Sequence, residues 1–213
     1  MGDNLKLNKQ SIADQIKEEL KTRIVNVEIE QGEKLDLPKL EEEFEVSRAP
    51  VREALQSLAD EGLVEVKPRV GYFAVELTTD QIEDICEMRK LIEMYSLKKS
   101  LHKIPRSEVE DIYKETLQLK KEELPKQELR ERFDSTDEVL HWTLINNANN
   151  QVLENFAERI HNLIALTRHL NERIDEALGE HIEILESILE KDESRAKKSL
   201  QKHLNNVEKE ILQ

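Results

Sequence analysis

The stretch SRAPVREALQSLADEGL, Ser47 to Leu63, decides how the first third of the chain folds. It parses as one short helix with both ends written in. Ser47 suits the N-cap, where its hydroxyl can accept a bond from an orphan backbone N–H. Pro50 falls in the first turn, where a missing N–H costs little. Val51, Ala54, Leu55 and Leu58 recur at spacings of three and four and make one buried stripe. Gly62 is a left-handed stop, after which Leu63 can fold back onto the helix. Arg48 and Arg52, four apart, lie off the stripe near the helix start. A rigid helix presenting two guanidinium groups there has the form of a DNA major-groove reader.

Working outward, Ile12, Ile16, Leu20 and Ile24 give an amphipathic helix over about 11–29, and Gly32 breaks the chain. Leu37, Leu40 and Phe44 mark a second short helix starting near Asp36 or Leu37. Glu45-Val46 then make a tight turn into the Ser47 helix, which is a helix-turn-helix pattern. After Gly62 the period drops to two. Val64 and Val66 alternate with polar residues, as do Phe73, Val75 and Leu77, around the turn Pro68-Arg69-Val70-Gly71. This predicts a β-hairpin, or wing, with Arg69 near its tip. Residues 1–76 are expected to form a winged helix-turn-helix domain, 77–80 a short linker that lets the two domains communicate, and 81–213 a second domain.

Composition bounds this reading. The net charge is −14 over 213 residues. Both parts are acidic: −6 over 1–76 and −8 over 77–213. A diffuse electrostatic grip on DNA is therefore weak, and binding must rest on a few placed cations. A single cysteine, Cys86, suits a reducing cytoplasm. The sequence shows neither a signal-peptide pattern nor an apolar run long enough to span a bilayer, so no membrane partner is expected.

From Thr79 onward only helical periodicity appears, with helices expected near 79–102, 106–123, 126–148, 150–174, 175–191 and 193–212. Six such helices make an antiparallel bundle, and the whole fold is mainly α. Four polar residues fall on its apolar stripes. Asp137 and His141 share a face with Phe133, Leu140, Leu144 and Ala148; His181 lies among Leu178, Leu185 and Ile188; His203 lies beside Leu204 on the stripe of the last helix. A buried lone Asp would be costly. One Asp and three neutral His can hold a divalent transition metal, although each His alone also reads as a satisfied core residue. Asp134, one turn before Asp137, is the competing carboxylate; His161 and His169 lie off the main stripe and are not expected to ligate.

The run Gly32-Glu-Lys-Leu35, then Val46-Ser-Arg-Ala-Pro-Val-Arg-Glu-Ala-Leu55, then Leu58-Ala-Asp-Glu-Gly-Leu-Val64 with Gly71, resembles the N-terminal domain of GntR-superfamily transcription regulators. Pro38 stands where many members carry an arginine or another polar residue. The all-helical second part, with Asp137-x-x-Leu-His141, His181 and His203, looks like the FCD domain of FadR-type members. Asn149-Asn-Gln-Val-Leu153 is similar to the Gly-Asn-Pro-x-Leu segment usual after the His-bearing helix. The resemblance implies a non-enzymatic, homodimeric repressor on a near-palindromic double-stranded operator. It implies DNA contacts from Ser47, Arg48, Ala49, Pro50, Arg52, Arg69 and Gly71. It implies a metal (zinc, nickel or manganese) on Asp137, His141, His181 and His203, and a small organic acid as effector. Arg89, common in the first FCD helix, and Arg168 are the candidate effector contacts, with an Arg89–Glu93 salt bridge as the plainer role for Arg89. The alternative is a metal-dependent hydrolase or lyase with a vestigial DNA-binding module, since His₃Asp sets also activate water.

Overall fold

A computed structural model describes residues 11–212, apart from the side chain of His169. Its internal contacts divide the chain into two compact units, Met1–Leu77 and Thr78–Gln213.

In the first unit, α1 (Ile12–Val25) opens with a capping box between Ser11 and Asp14. Its buried face is Ala13, Ile16, Leu20 and Ile24. Ile12, expected on that stripe, is 57% exposed, because repeated four-residue steps drift by about 40° each against the 3.6-residue turn, so Ala13 takes the buried place instead. β1 (Lys34–Leu35) leads into α2 (Leu37–Glu43), whose first turn is held by the Asp36 side chain accepting from the Lys39 N–H. Glu45 takes a left-handed φ of 53°, and the Val46 N–H returns to the Glu41 carbonyl at 3.1 Å. That places α3 (Arg48–Asp60) across α1, with Val51, Ala54, Leu55 and Leu58 fully buried between them. Contrary to expectation, the Ser47 side chain makes no capping bond; Ser47 keeps the extended cap backbone only. The other end is as read. Gly62 sits at φ +85°, Leu63 N–H reaches the Leu58 carbonyl at 2.9 Å, and Gly62 N–H reaches Ala59 at 3.0 Å, closing the helix with buried Leu63.

The wing is part of a three-stranded antiparallel sheet instead of a lone hairpin. β2 (Val64–Lys67) and β3 (Gly71–Ala74) pair, and β1 adds on the far side in the order β1-β3-β2. Two β1 residues between Gly32 and Asp36 are too few to show alternation, which is why the sequence hides that strand. The buried parity is also the other one: Tyr72 and Ala74 face the core. Phe73 instead lies beneath the Lys67 ammonium, 4.5 Å from its ring centre.

The second unit is all-helical among the described residues. The helices are α4 (Thr79–Ser100), α5 (Arg106–Lys121), α6 (Lys126–Asn146), α7 (Gln151–Ala165), α8 (Ile174–Leu189) and α9 (Glu193–Ile211). Pro105 and Pro125 start α5 and α6. The core joins Leu97 and Leu101 of the α4 end with Leu140, Leu144, Ile184, Leu185, Leu200 and Leu204. One helix was expected over 150–174, but α7 stops at Ala165 and a 3₁₀ turn follows at Arg168–Leu170. The cause lies in outside partners for the backbone. Thr167 Oγ1 takes the Ile164 carbonyl at 2.8 Å, and the Arg130 guanidinium takes the Asn171 carbonyl at 2.6 Å.

Gly62→Ala is expected to destabilise the first unit by about 1 kcal/mol or more, since alanine at this φ is strained. Chemical denaturation of the two proteins measures it.

Candidate metal centre and candidate nucleic-acid interface

α6 projects Asp137 and His141 from one face because four residues make about one turn. His181 enters from α8 and His203 from α9. One ligand atom from each of the four lies within 4.8 Å of all the others. His181 Nε2 is 3.3 Å from His203 Nε2 and 3.3 Å from Asp137 Oδ1, and His141 Nε2 is 3.4 Å from the same oxygen. Atoms held at about 2.1 Å from a common ion lie about 3.0–3.4 Å apart at octahedral or tetrahedral angles, so these spacings match a ligand shell. The histidines are buried, and Asp137 keeps 16% of its side chain exposed.

Two further carboxylates orient the rings. Glu93 of α4 accepts from His141 Nδ1 in a very short contact, and Glu180 of α8 accepts from His203 Nδ1 at 2.9 Å. With the proton on Nδ1, the Nε2 lone pair of each of these rings faces the cluster. His141 Nε2 and His181 Nδ1 are buried without a hydrogen-bond partner among the described residues. Lone pairs and a carboxylate gathered this closely repel one another unless a proton or a cation lies between them, so the donor set suits a divalent ion.

The charges agree. Burial alone would raise the Asp137 carboxyl, but a positive charge on His141, which Glu93 favours, and the nearby His181 hold it well below the usual range. Burial likewise opposes the charge on Glu93, yet His141 and Arg89 bring it down to about 2. Glu180 is also about 2: burial is outweighed by bonds from His203, Asn206 and Arg173. His203 falls to about 4 through burial and the neighbouring His181. Asp134 does not join the cluster; burial raises it to about 6, and it lies 3.9 Å from Arg130.

Arg89 is 8% exposed and donates to Glu93 at 2.7 Å, with Asp137 4.0 Å away. The local salt bridge thus exists and also borders the cluster. Arg168 donates to Glu138 at 3.2 Å and contacts His161 Nε2 at 3.1 Å. His161 is no part of the four-residue cluster. Both arginines line one cavity with Asp137 and His141. Glu93 was readable only as a partner of Arg89, and Glu180 as the neighbour of His181. Their reach to His141 and His203 depends on helix crossing, which no local spacing reveals.

In the first unit, α3 and the wing enclose an open groove that Arg48, Arg52, Arg69, Lys67 and Lys34 all border. Pro38 and Gly71 line it too, and among the described residues Asp36, used as the α2 cap, is its only acidic one. Arg48 is 69% exposed, with Glu41 no nearer than 3.9 Å. Ser47 and Ala49 are exposed and Pro50 half-buried at the same helix end. Lys34 and Lys67 were not singled out in the sequence, because their place depends on sheet pairing. Arg69 occupies φ +65° in the Lys67–Val70 turn.

Residues 12–74 match the gntR family of bacterial regulatory proteins, and residues 84–206 match the FCD domain. The HTH-type transcriptional regulator YdhC of Bacillus subtilis is 27% identical over 215 residues, spanning 96% of this chain and 93% of its own length. The gluconate operon transcriptional repressor of Bacillus licheniformis is 26% identical over 222 residues, covering 96% and 87%. Among solved structures, the Zn²⁺-bound FCD domain of TM0439 is 32% identical with a TM-score of 0.57, covering 64% of this chain and 95% of that domain. A GntR regulator from Rhodococcus sp. RHA1 shares the fold at a TM-score of 0.78 and 20% identity, covering 94% and 97%. The two curated relatives are named as a transcriptional regulator and a transcriptional repressor, which speaks against the hydrolase or lyase alternative.

Chelator-treated protein is expected to lose thermal stability as pH falls from about 4.5 toward about 2. Glu93 and Glu180 have depressed pKa values in the fold, so the unfolded chain binds more protons in that window. Melting temperature against pH, followed by circular dichroism, should show a shallower slope for Glu180→Gln.

Proposed function

The chain belongs to the gntR family of bacterial regulatory proteins with an FCD domain as its second unit, and we propose that it is a metal-containing, carboxylate-responsive repressor that binds its operator as a homodimer. One observation carries the DNA-binding half. Five cations converge on the groove between α3 and the wing in a chain whose net charge is −14. Arg48 and Arg52 stand on the exposed face of α3, where a helix inserted in the major groove meets base edges, and Arg69 reaches a neighbouring groove or its phosphates. Ser47, Ala49, Pro50 and Gly71 shape the backbone close to the DNA.

The spacing of Asp137, His141, His181 and His203 supports a divalent metal at that cluster. Zinc, nickel and manganese are all compatible with this donor set, and the likeness to a Zn²⁺-bound FCD domain favours zinc. The metal would supply a Lewis-acid position for a carboxylate oxygen. Arg89 borders that position and would hold the carboxylate through guanidinium hydrogen bonds, with Arg168 lining the same cavity. The dimer is supported by an exposed apolar stripe on α4 (Met88, Leu91 and Tyr95) and by Val152 and Phe156 on α7, which packs against α4. Among the described residues no helix is long and apolar enough to cross a membrane. A coupling of about 1–3 kcal/mol between the acid and the operator would change DNA affinity by roughly 5- to 150-fold.

Arg48→Ala is expected to weaken binding to an operator selected from random duplexes by about 1–3 kcal/mol, with helicity by circular dichroism unchanged. Normal operator affinity would remove α3 from the interface. Elemental analysis of the purified chain should find one transition metal per chain, and His181→Ala should lose most of it.

A further inference from the structure

Three stretches of the first unit border the open groove beside α3. α3 brings Arg48 and Arg52, the wing brings Lys67 and Arg69, and the run Lys34–Pro38, which holds β1 and the start of α2, makes a third side. That third side is the one least suited to an anion. Its carboxylate, Asp36, is fixed there by accepting from the Lys39 N–H at 3.2 Å, and Leu35, Leu37 and Pro38 carry no charge. A phosphate approaching it meets a charge of its own sign, which within the run only Lys34 offsets.

Lys34 is free to act. It is exposed and has no ion pair among the described residues. Pairing of β1 with β3 sets Lys34 opposite Phe73. Its stem crosses to Gly71, where a Cβ would stand 3.3 Å from Lys34 Cε. Gly71 has φ +139°, a backbone that residues with side chains rarely adopt. The bare glycine therefore gives the lysine stem a floor and lets the ammonium lie along the groove. Lys67 is the contrast. Its ammonium lies 4.5 Å from the Phe73 ring centre and 3.3 Å from Glu65, so its charge is already engaged.

We infer that Lys34 is a phosphate contact, holding the DNA backbone on the β1 side of the groove while α3 meets base edges on the other. The inference rests on the reading of this groove as the DNA interface. It goes beyond that reading by giving a two-residue strand a part in binding and by separating the residue that positions the duplex from those that read it. A lysine ammonium is a compact charge without the planar fork that matches a base edge, and phosphate contacts carry no sequence information directly. Lys34 thus sets affinity and register, and leaves the choice of sequence to α3.

Fluorescence anisotropy of the full chain tests this, using an operator selected from random duplexes and a scrambled duplex of the same length, between about 50 and 200 mM salt. In Lys34→Gln the slope of log affinity against log salt should become shallower by about 0.9 for each chain bound. Both duplexes should weaken by the same factor, so that their ratio stays fixed. Lys34→Arg, which keeps the charge, should keep the parent slope, and Lys67→Gln should leave it nearly unchanged. Circular dichroism checks that each variant retains the parent fold; Lys34→Arg and Lys67→Gln still decide the matter where Lys34→Gln does not. An unchanged slope in Lys34→Gln, a loss confined to the selected duplex, or a drop in Lys67→Gln equal to that in Lys34→Gln overturns the inference and leaves α3 as the reader. A parent chain that binds neither duplex overturns the reading of the groove and the inference together.

Discussion

The second unit depends on four polar side chains, Asp137, His141, His181 and His203, being forced together in its interior. Three imidazoles and a carboxylate with their donor atoms within 4.8 Å of one another are a poor way to stabilise a core, because each group loses water and meets others of its own kind. The arrangement persists because it is over-determined from outside. Glu93 fixes the His141 ring from α4, and Glu180 fixes the His203 ring from within α8. Each of those carboxylates is in turn held by an arginine, Arg89 and Arg173. Four helices therefore meet at one point through directional bonds, where apolar packing alone would leave their registers free to slide. Ion pairs of this kind add little net stability when buried. Their effect is geometric, and it aims the Nε2 atoms inward.

That dependence explains how much of the centre was legible. Asp137, His141, His181 and His203 were visible because each interrupts a stripe of period 3.6, and a polar residue there demands a partner. The orienting carboxylates were not visible. Glu93 has Arg89 one turn away and so looks satisfied locally, while Glu180 sits beside a histidine that it does not contact through its ring. Their roles exist only once α4 and α8 cross α6 and α9. The end of α7 was hidden for a similar reason: Arg130, some forty residues earlier, supplies the bond to the Asn171 carbonyl that lets the helix stop. Asn149 stands where the similar family segment usually carries glycine, and it takes a left-handed φ of 55°, a conformation asparagine tolerates better than most residues.

In the first unit the informative positions are those where the sequence declines the easy residue. Glu45 and Arg69 both occupy left-handed backbone, at φ 53° and 65°, where glycine would avoid a cost of roughly 1–2 kcal/mol. For Glu45 the bond from Val46 N–H to Glu41 closes α2, and it fixes the angle at which α3 leaves the turn. For Arg69 no buried contact repays the strain, since the whole Pro68–Val70 tip is exposed. Strain retained on an exposed tip fits the proposed role of Arg69 as a contact to DNA. The same logic resolves the tension between an acidic chain and an anionic partner. Binding that cannot draw on total charge has to place each cation, and here the left-handed turn sets Arg69 on the groove already bordered by Arg48, Arg52, Lys34 and Lys67. A few placed cations also release few counterions, so such a reader loses less affinity in salt than a basic one of equal strength. On the proposed docking, its discrimination between sequences would come mainly from the fit of α3 to base edges.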